Sequence, residues 1–173
     1  MIEQLTTQRM LLQPLKLNHS RGMFELWSQP EVCVYSGRAE DRHGDEIVLP
    51  ARYAQDSDRI IDFFLHRQAE GSGCRWALIE AEGGAFLGIV GFNAIGQTSE
   101  IAYHLHPKYW GQGYMREACI ASLDWLHEHC ASSSLEAYID ADNVPSQKLA
   151  LGLGMQQSAA ERDGSLRFSM QLR

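Results

Sequence analysis

The sequence predicts a mixed fold of helices and strands, α/β or α+β, and two observations predict it. Apolar residues recur at helical spacing after Ser57 and again over residues 114–130. Between these segments lie three extended stretches joined by short turns, one of which is Glu82-Gly83-Gly84. Because short turns allow neighbouring strands to pair antiparallel, we expect the three stretches to form a meander.

The chain is expected to begin with a strand and a helix. Residues 8–15 alternate loosely and end at Pro14, which suits a first or edge strand because proline donates no backbone hydrogen bond. Asn18 or Ser20 is then placed to cap a helix with apolar residues at helical spacing. Those apolar residues are Met23, Leu26 and Trp27.

An irregular segment separates this helix from the next one. Residues 28–56 carry repeated turn signals, so we expect a loop with at most one short helix. Loops of this length inside a compact domain are usually functional. Ser57 is expected to cap an amphipathic helix that stops at Gly71. The three strands of the meander are then predicted at 75–80, 85–93 and 100–106.

The last part of the chain is expected to alternate helices and strands. The helix over residues 114–130 carries one apolar stripe, formed by Met115, Ala118, Cys119, Leu123, Leu126 and Cys130. A strand is predicted at 135–139 and a helix of about eight residues from Pro145, a residue favoured in a first turn. Gly154 ends that helix, and a hairpin around Asp163-Gly164 joins strands at 155–159 and 166–172.

Length and charge limit the function. With 173 residues the chain has the size of one domain, covering residues 1–173. Acidic residues number 22 against 15 Lys and Arg, for a net charge of -7, and no basic cluster is present. Nucleic acid is therefore not expected as a partner. The same balance favours a cationic substrate, unless it serves solubility alone.

The cysteines and the hydropathy pattern bear on the compartment. Cys33, Cys74, Cys119 and Cys130 show no C-x-x-C spacing and follow no secretion signal, so we expect reduced, mostly buried thiols. No apolar run approaches the ~18 residues of a membrane span. We therefore expect a cytoplasmic protein, monomeric or homodimeric, that has no membrane partner.

A glycine-containing segment predicts an anion site. In His106–Ala118, the third strand of the meander ends and a loop with Gly111 and Gly113 opens the long helix. Two glycines one residue apart let the backbone approach a ligand, and the first-turn N–H groups have no partner inside the helix. These groups and the positive end of the helix dipole suit a phosphate or pyrophosphate. A P-loop hydrolase is excluded because no Gly-Lys-Ser/Thr follows.

The segment Glu100–Ala118, followed by Asn143-Val-Pro-Ser146 and Leu153-Gly154-Met155, resembles the GNAT family of acetyl-CoA-dependent N-acetyltransferases. Within that family it is most similar to the ribosomal-protein N-acetyltransferase (Rim-type) branch, whose first strand the segment Thr7–Leu15 also resembles. The resemblance implies a mixed, mostly antiparallel sheet of about seven strands, splayed at its middle and flanked by about four helices.

The resemblance also implies the acetyl-CoA site. The pyrophosphate loop would be Trp110, Gly111, Gln112, Gly113, Tyr114 and Met115. Arg116 is a candidate for a further phosphate contact or else a solvated arginine. His104 and Leu105 would bind the pantetheine arm through their backbone, and Asn143 matches the family's cofactor-arm asparagine. Met115 stands where the family has Gly or Ala, and a larger side chain there can crowd the pyrophosphate.

Two residues are implied for catalysis. Glu100 matches a glutamate common in the Rim-type branch and is the predicted base, acting through water, while Ser146 matches a serine near the thioester sulfur. Glu100 has the alternative of a surface glutamate. For Asn143 and Ser146 the alternative is a helix that Asp142 or Asn143 caps, with Ser146 in its first turn. His104 and His106 are alternative bases, since alternating strand residues share the face of Glu100. No metal site is expected.

These residues predict an N-acetyltransferase in which an amine attacks the thioester directly within a ternary complex. No covalent acyl-enzyme is expected, because no cysteine lies in a recognisable nucleophile motif. The alternative is a module that senses acetyl-CoA or CoA without turnover. Ribosomal-protein N-termini, polyamines, aminoglycosides and amino acids are all acceptors of proteins that resemble this one. Residues 28–56 are expected to shape the acceptor site.

Overall fold

One twisted sheet of eight strands organises residues 2–172, which are the residues that this computed structural model describes. The strand order is β1-β2-β5-β6-β7-β8-β10-β9. The eight strands are β1 (Leu5–Thr6), β2 (Met10–Pro14), β5 (Cys74–Glu80), β6 (Phe86–Ala94), β7 (Thr98–Leu105), β8 (Ser134–Asp140), β9 (Gln156–Arg162) and β10 (Ser165–Gln171). A separate hairpin joins β3 (Ala39–Glu40) to β4 (Glu46–Ile47).

Five α-helices cover the two faces of this sheet. They are α1 (Ser20–Trp27), α2 (Pro30–Cys33), α3 (Ala54–Ala69), α4 (Tyr114–His129) and α5 (Val144–Gly152). Short 3-10 turns at Leu17–His19 and Pro107–Tyr109 precede α1 and the glycine loop. The predicted antiparallel meander is confirmed as β5, β6 and β7.

The sheet splits at its centre. All neighbouring strands pair antiparallel except β7 and β8, which are parallel and pair only over Thr98–Glu100 with Ser134–Glu136. Beyond Glu100 the two strands diverge, and among the described residues the backbone of Ile101–Leu105 has no strand partner on that side. The predicted mixed, mostly antiparallel sheet splayed at its middle is therefore confirmed, with eight strands in place of about seven.

Strand alternation sends side chains into two apolar clusters, one on each face. Trp76 and Phe92 belong to the cluster under α4, whereas Ala77 and Ile89 belong to the cluster under α1 and α3. Trp76, Trp125 and Phe92 meet within 6.5 Å between ring centroids at the centre of the first cluster. These two clusters pack against the two faces of the splayed sheet, so close-packed side chains support the strands on either side of the gap between β7 and β8.

The capping residues predicted for α1 and α3 are wrong. Neither Asn18 nor Ser20 caps α1, because a 3-10 turn precedes it and the His19 ring accepts from the Lys16 N–H at 3.0 Å. Helix α3 begins at Ala54, and Ser57 lies buried inside its first turn, where its hydroxyl donates to the Ala54 carbonyl at 2.9 Å. The cap comes instead from Asp56, whose carboxylate accepts from backbone N–H groups upstream.

Residues 28–56 contain the expected short helix α2 and also the hairpin β3–β4, which the turn signals did not reveal. Strands of two residues carry no readable alternation, so tertiary contacts define them. The hairpin is tied to α3 by Arg59, whose guanidinium donates to Asp41 at 2.7 Å. These hydrogen bonds from Arg59 lower the pKa of the Asp41 carboxyl to about 2.

All four cysteines are free thiols. Cys74 and Cys119 are buried, whereas Cys33 and Cys130 are half-buried, so the prediction of mostly buried thiols holds for two of the four. None of the helices within residues 2–172 combines the length and apolar content that a membrane crossing requires.

Candidate active site

A cleft of about 940 Å³ opens where β7 and β8 part. The exposed edge of β7, the end of β8, the glycine loop and the start of α5 form one wall, and α1, α3 and the segment around α2 form the other. A volume of this size is within the range of cofactor and substrate pockets. The cleft brings together most of the residues predicted for the site, although they lie far apart in the sequence.

The glycine loop has the backbone geometry of an anion site. Gly111 and Gly113 have φ values of 70° and 82°, which L side chains rarely adopt. Gly113 is the N-cap of α4, and the first helical bond runs from the Glu117 N–H to the Gly113 carbonyl at 3.2 Å. The amides of residues 114–116 therefore have no partner inside the helix and are available to a phosphate.

Arg9 fixes the position of this loop through hydrogen bonds, and the sequence did not predict that role. Its backbone N–H and Nε donate to the Glu117 carboxylate at 2.8 and 2.7 Å, and its Nη1 donates to the Gln112 carbonyl at 2.8 Å. The same guanidinium lies 4.2 Å from the centre of the Tyr114 ring. Burial raises the pKa of Glu117, but hydrogen bonds from Thr7 and Arg9 outweigh it, and the pKa is lowered.

The other side chains of the loop either form hydrogen bonds that hold it in place or face outward. Trp110 is 49% exposed, and its Nε1 donates to the Leu105 carbonyl at 2.7 Å, which ties the loop to the end of β7. The Gln112 side chain donates to the Lys108 carbonyl at 3.1 Å. Arg116 is exposed at the cleft edge. Met115 is 7% exposed and packs into the core under α4, but it also lines the cleft, so its crowding of the pyrophosphate stays a prediction.

The His104 ring faces the apolar cluster under α1 and α3 and is neutral. It packs on Trp27 with 4.6 Å between ring centroids, and its Nδ1 is buried without a partner among the described residues. Burial, reinforced by the Arg75 charge, lowers the pKa of His104 to about 3. A ring with this pKa is a weak base at neutral pH, so the alternative that His104 is the general base is disfavoured.

His106 is displaced from the strand face where the sequence placed it. Strand β7 ends at Leu105, and His106 caps the 3-10 turn that follows, its Nδ1 accepting from the Lys108 N–H at 3.2 Å. It is not among the residues that line the cleft. The prediction that it shares a face with Glu100 and His104 is therefore wrong, because the strand ends one residue earlier than expected.

Glu100 lies at the point where β7 and β8 diverge. Its side chain is only 12% exposed, which rules out the alternative of a surface glutamate. Oε1 accepts from Asn93 Nδ2 at 2.7 Å, and Oε2 accepts from Arg162 Nη2 at 2.8 Å. Arg162 reaches it from β9 and stacks 3.6 Å above the centre of the Tyr138 ring. Nothing in the sequence pattern pointed to Asn93 or Arg162, since both contacts depend on the fold.

The start of α5 forms the other side of the cleft. Asn143 caps the helix, with its Oδ1 accepting from the Ser146 N–H at 3.4 Å, so the capping alternative holds and both residues also line the cleft. Tyr103 of β7 donates its hydroxyl to the Ser146 carbonyl at 3.4 Å. Burial, followed by the nearby Cys119, raises the pKa of Tyr103, which keeps the phenol neutral.

Residues 9–156 match the model of the acetyltransferase (GNAT) domain. The chain belongs to the GNAT family. Members of this family use acetyl-CoA, and the enzyme is therefore an acetyltransferase. No group of three or more His, Cys, Asp or Glu within residues 2–172 is arranged to hold a metal ion.

Individual relatives of this GNAT acetyltransferase are distant. A protein named uncharacterized N-acetyltransferase p20 from Bacillus licheniformis is 28% identical over 165 residues, which cover 94% of this chain and 87% of that protein.

Solved structures share the fold. A proposed ribosomal-protein-serine acetyltransferase from Vibrio cholerae superposes with a TM-score of 0.80 at 20% identity, covering 98% of this chain and 97% of that chain. RimL, the ribosomal L7/L12 alpha-N-protein acetyltransferase, in complex with coenzyme A gives 0.78 at 13% identity over 97% of both chains. At these identities the likeness shows a shared fold.

The residues of this GNAT acetyltransferase fit acetyl-CoA. The loop amides are free for the pyrophosphate, and the unpaired edge of Ile101–Leu105 offers backbone groups to the amides of the pantetheine arm. Leu105 is a partial exception, because its carbonyl already accepts from Trp110. Asn143 keeps side-chain groups available beyond its capping bond.

Proposed function

We propose that this GNAT protein transfers the acetyl group of acetyl-CoA to a primary amine by direct attack of the amine in a ternary complex. The observation that carries the proposal is the divergence of β7 and β8 at Glu100. It leaves a cleft with phosphate-binding amides at one end and a largely buried carboxylate at the other. The two substrates of an acetyl transfer, acetyl-CoA and an amine, would each contact complementary groups in that cleft.

Glu100 is the general base of this proposal. The attacking amine must lose a proton as its nitrogen forms a bond to the thioester carbonyl carbon. Asn93 and Arg162 hold the carboxylate in one orientation, and each oxygen keeps a second acceptor site for a water that relays the proton.

The thiolate of CoA leaves as the C–S bond breaks, and it needs a hydrogen-bond donor. The hydroxyl of Ser146 lines the cleft at the start of α5 and is our choice for this donor. No cysteine is needed as a nucleophile. Burial raises the pKa of the Cys74 thiol to about 12, and it also raises the pKa values of Cys33, Cys119 and Cys130. Thiols held protonated attack carbonyls poorly.

Replacement of Ser146 by Ala tests its role. We expect a lower kcat with little change in the KM for acetyl-CoA, as for an interaction made mainly in the transition state. Tyr103→Phe is the matched comparison, because its neutral phenol lies next to Ser146. A larger loss in Tyr103→Phe than in Ser146→Ala would assign the donor to Tyr103.

The acceptor in this proposal is a primary amine, with a ribosomal-protein N-terminus as one candidate because of the RimL-like neighbours. The net charge of -7 favours acceptors with a cationic amine over neutral ones.

A thiol-release assay with acetyl-CoA and a panel of amines tests the proposal. The panel would contain N-terminal peptides of ribosomal proteins, polyamines, aminoglycosides and amino acids. We expect release of CoA thiol that depends on the amine, with an N-acetylated product seen by mass spectrometry. Tight acetyl-CoA binding in calorimetry without any amine-dependent thiol release would instead establish a sensor.

A further inference from the structure

Two guanidinium groups lie next to each other at the end of the cleft under α3. Arg75 of β5 is 2% exposed; its Nη1 donates to the Cys74 carbonyl at 2.9 Å, and its Nη2 donates to the side-chain oxygen of Asn93. Arg67 of α3 donates from Nη2 to the Asn93 backbone carbonyl at 2.8 Å. Asn93 therefore connects both arginines to Glu100, which accepts from its amide nitrogen.

These charges are not balanced by carboxylates. Every hydrogen bond from Arg67 and Arg75 goes to a neutral oxygen. The Nε atoms of both are buried without a partner among the described residues. The charge of the Glu100 carboxylate acts on Arg75, but this carboxylate already forms an ion pair with Arg162. A buried cation without a counter-ion is costly, so this end of the cleft favours an anion.

The aromatic side chains around the pair compensate only part of this cost. The Arg75 guanidinium lies 4.3 Å from the centre of the Phe64 ring, and that of Arg67 lies 6.0 Å from Phe63. A cation over a ring gains less free energy than the desolvation of a charge costs. Burial lowers the pKa of Arg75 to about 10, so the group still carries its charge at neutral pH.

Space for an anion lies beside these groups. A side cavity of about 230 Å³ is lined by Arg67, Asn93 and Glu100 together with the rings of Phe63 and Phe64. Asn93, Glu100 and both rings also line the main cleft, which Arg75 borders. A small molecule in the main cleft can therefore reach the cavity with one of its ends while the rest stays near Glu100.

We propose that Arg67, Arg75 and Asn93 form a carboxylate subsite, so that the acceptor is an amine that also carries a carboxylate, as amino acids do. Planar guanidinium groups match carboxylates through paired hydrogen bonds. The amide of Asn93 sets the subsite next to Glu100, the proposed base, so amine and carboxylate lie close together in the acceptor. This inference rests on the proposed acetyl transfer and narrows its acceptor class.

The carboxylate subsite also changes which acceptors the net charge of the protein is expected to favour. The total of -7 favours cationic molecules at long range, whereas this end of the cleft holds the two cationic groups of Arg67 and Arg75 beside Glu100. A zwitterion satisfies both conditions, because its ammonium group follows the overall field and its carboxylate meets the arginines.

Anion binding tests the subsite without any turnover. Acetate, hexanoate and benzoate would be titrated into the protein by calorimetry, each beside its neutral amide. We expect at least one carboxylate to bind and its amide to bind at least tenfold more weakly. Arg67→Gln should weaken carboxylate binding about tenfold or more, as for the loss of a charged hydrogen bond. Arg21→Gln, which removes an equal charge from a side chain 92% exposed on α1, should leave binding unchanged.

Turnover supplies the second test. Each amino acid in the acceptor panel would be compared with its primary amide, which keeps the amine and loses the carboxylate. We expect kcat/KM to be at least tenfold higher for the preferred amino acid than for its amide. Equal binding of carboxylates and amides, or amides that are acetylated as well as the acids, would overturn the subsite. Carboxylate binding without acetylation of any amine would instead retain the subsite and overturn the transfer reaction.

Discussion

A carboxylate serves as a general base when it has a fixed orientation and an oxygen free to accept a proton, and Glu100 meets both conditions. Its donors Asn93 and Arg162 come from β6 and β9, on opposite sides of β7 in the sheet order. At 12% exposure the side chain has little contact with bulk solvent, so a water between it and the amine would be confined. The role of this residue thus depends on its two partners as much as on its own chemistry.

Replacing Glu100 with Gln keeps the size of the side chain and removes the base. We expect kcat to fall by about 10²-fold or more, within the usual range for general base catalysis, with acetyl-CoA binding retained. Steady-state kinetics at pH 7 measures this change. Glu25→Gln, on the exposed side of α1 and paired with Arg21, is the matched control. Full activity in Glu100→Gln would show that the proton leaves by another route.

At the scale of elements, the junction between β7 and α4 forms the end of the cleft that we propose for acetyl-CoA. The strand, the 3-10 turn, two glycines with positive φ and the helix follow one another within a short segment. Contacts from Arg9 and Trp110 hold the segment against β2 and β7. The amides of the first helical turn are therefore fixed before a ligand arrives, which reduces the entropy cost of binding.

Gly113→Glu tests the loop as the pyrophosphate site. It places bulk and negative charge beside the first-turn amides and forces an L residue to φ 82°. We expect the affinity for CoA in calorimetry to fall about tenfold or more, since like charges repel. Gly44→Glu is the control, because Gly44 has φ 83° in the β3–β4 connection and open space around it. CoA binding equal to the parent in Gly113→Glu would place the site elsewhere.

Arg9→Met tests the brace on the same loop. The variant keeps an unbranched apolar stem and loses the side-chain bonds to Glu117 and Gln112, while the backbone N–H of residue 9 still donates to Glu117. We expect the KM for acetyl-CoA to rise several-fold and the Tm to fall, because hydrogen bonds to charged groups contribute about 1.5–3 kcal/mol. Arg21→Met should have almost no effect, because its ion pair with Glu25 is exposed.

The pH dependence of this effect follows from Glu117. Its pKa is lowered in the folded protein, so the stability from this pairing is complete above the unfolded value of about 4.3. That stability is lost as the pH falls through the lower folded-state pKa. The difference in Tm between the parent and Arg9→Met should therefore be largest near neutral pH and shrink at acidic pH. A constant difference at every pH would show that Glu117 is not the partner that matters.

For the whole molecule, the net charge of -7 acts over distances at which individual contacts do not. Such a field steers charged molecules before they bind and is screened by salt. The cleft itself has short-range features of both signs, with Glu100 beside Arg67 and Arg75. The long-range attraction of charged molecules by the net charge and the short-range selection of the acceptor by the cleft are therefore separate properties of this protein.

The salt dependence of turnover separates these two ranges. The Debye length falls from ~10 Å at 0.1 M to ~3 Å at 1 M salt, so kcat/KM for a cationic acceptor should drop more than for a neutral one. Turnover should also rise with pH, because amines with a pKa of roughly 8 to 10 are mostly protonated at pH 7. An equal salt response for both acceptor types would reject steering by the net charge.

The sequence by itself determined the features that depend on local spacing. The antiparallel meander follows from short turns, helix α4 follows from its apolar stripe, and the anion loop follows from Gly111 and Gly113. The resemblance to the GNAT family added the splayed sheet and the prediction of where acetyl-CoA binds. Local patterns succeed here because a helix, a hairpin turn and a helix N-terminus are each defined by neighbouring residues.

Only the tertiary structure decided which side chains share the cleft and in what state. Arg9 reaches Glu117 across 108 positions, and Arg162 reaches Glu100 across 62, so no periodicity reveals either contact. Burial turned His104 into a neutral ring and directed Met115 into the core. The pairing of Arg67 with Arg75 also arises only when α3 packs against β5. The physical reason is that charge, burial and hydrogen bonding depend on distances in space, which the order of residues does not contain.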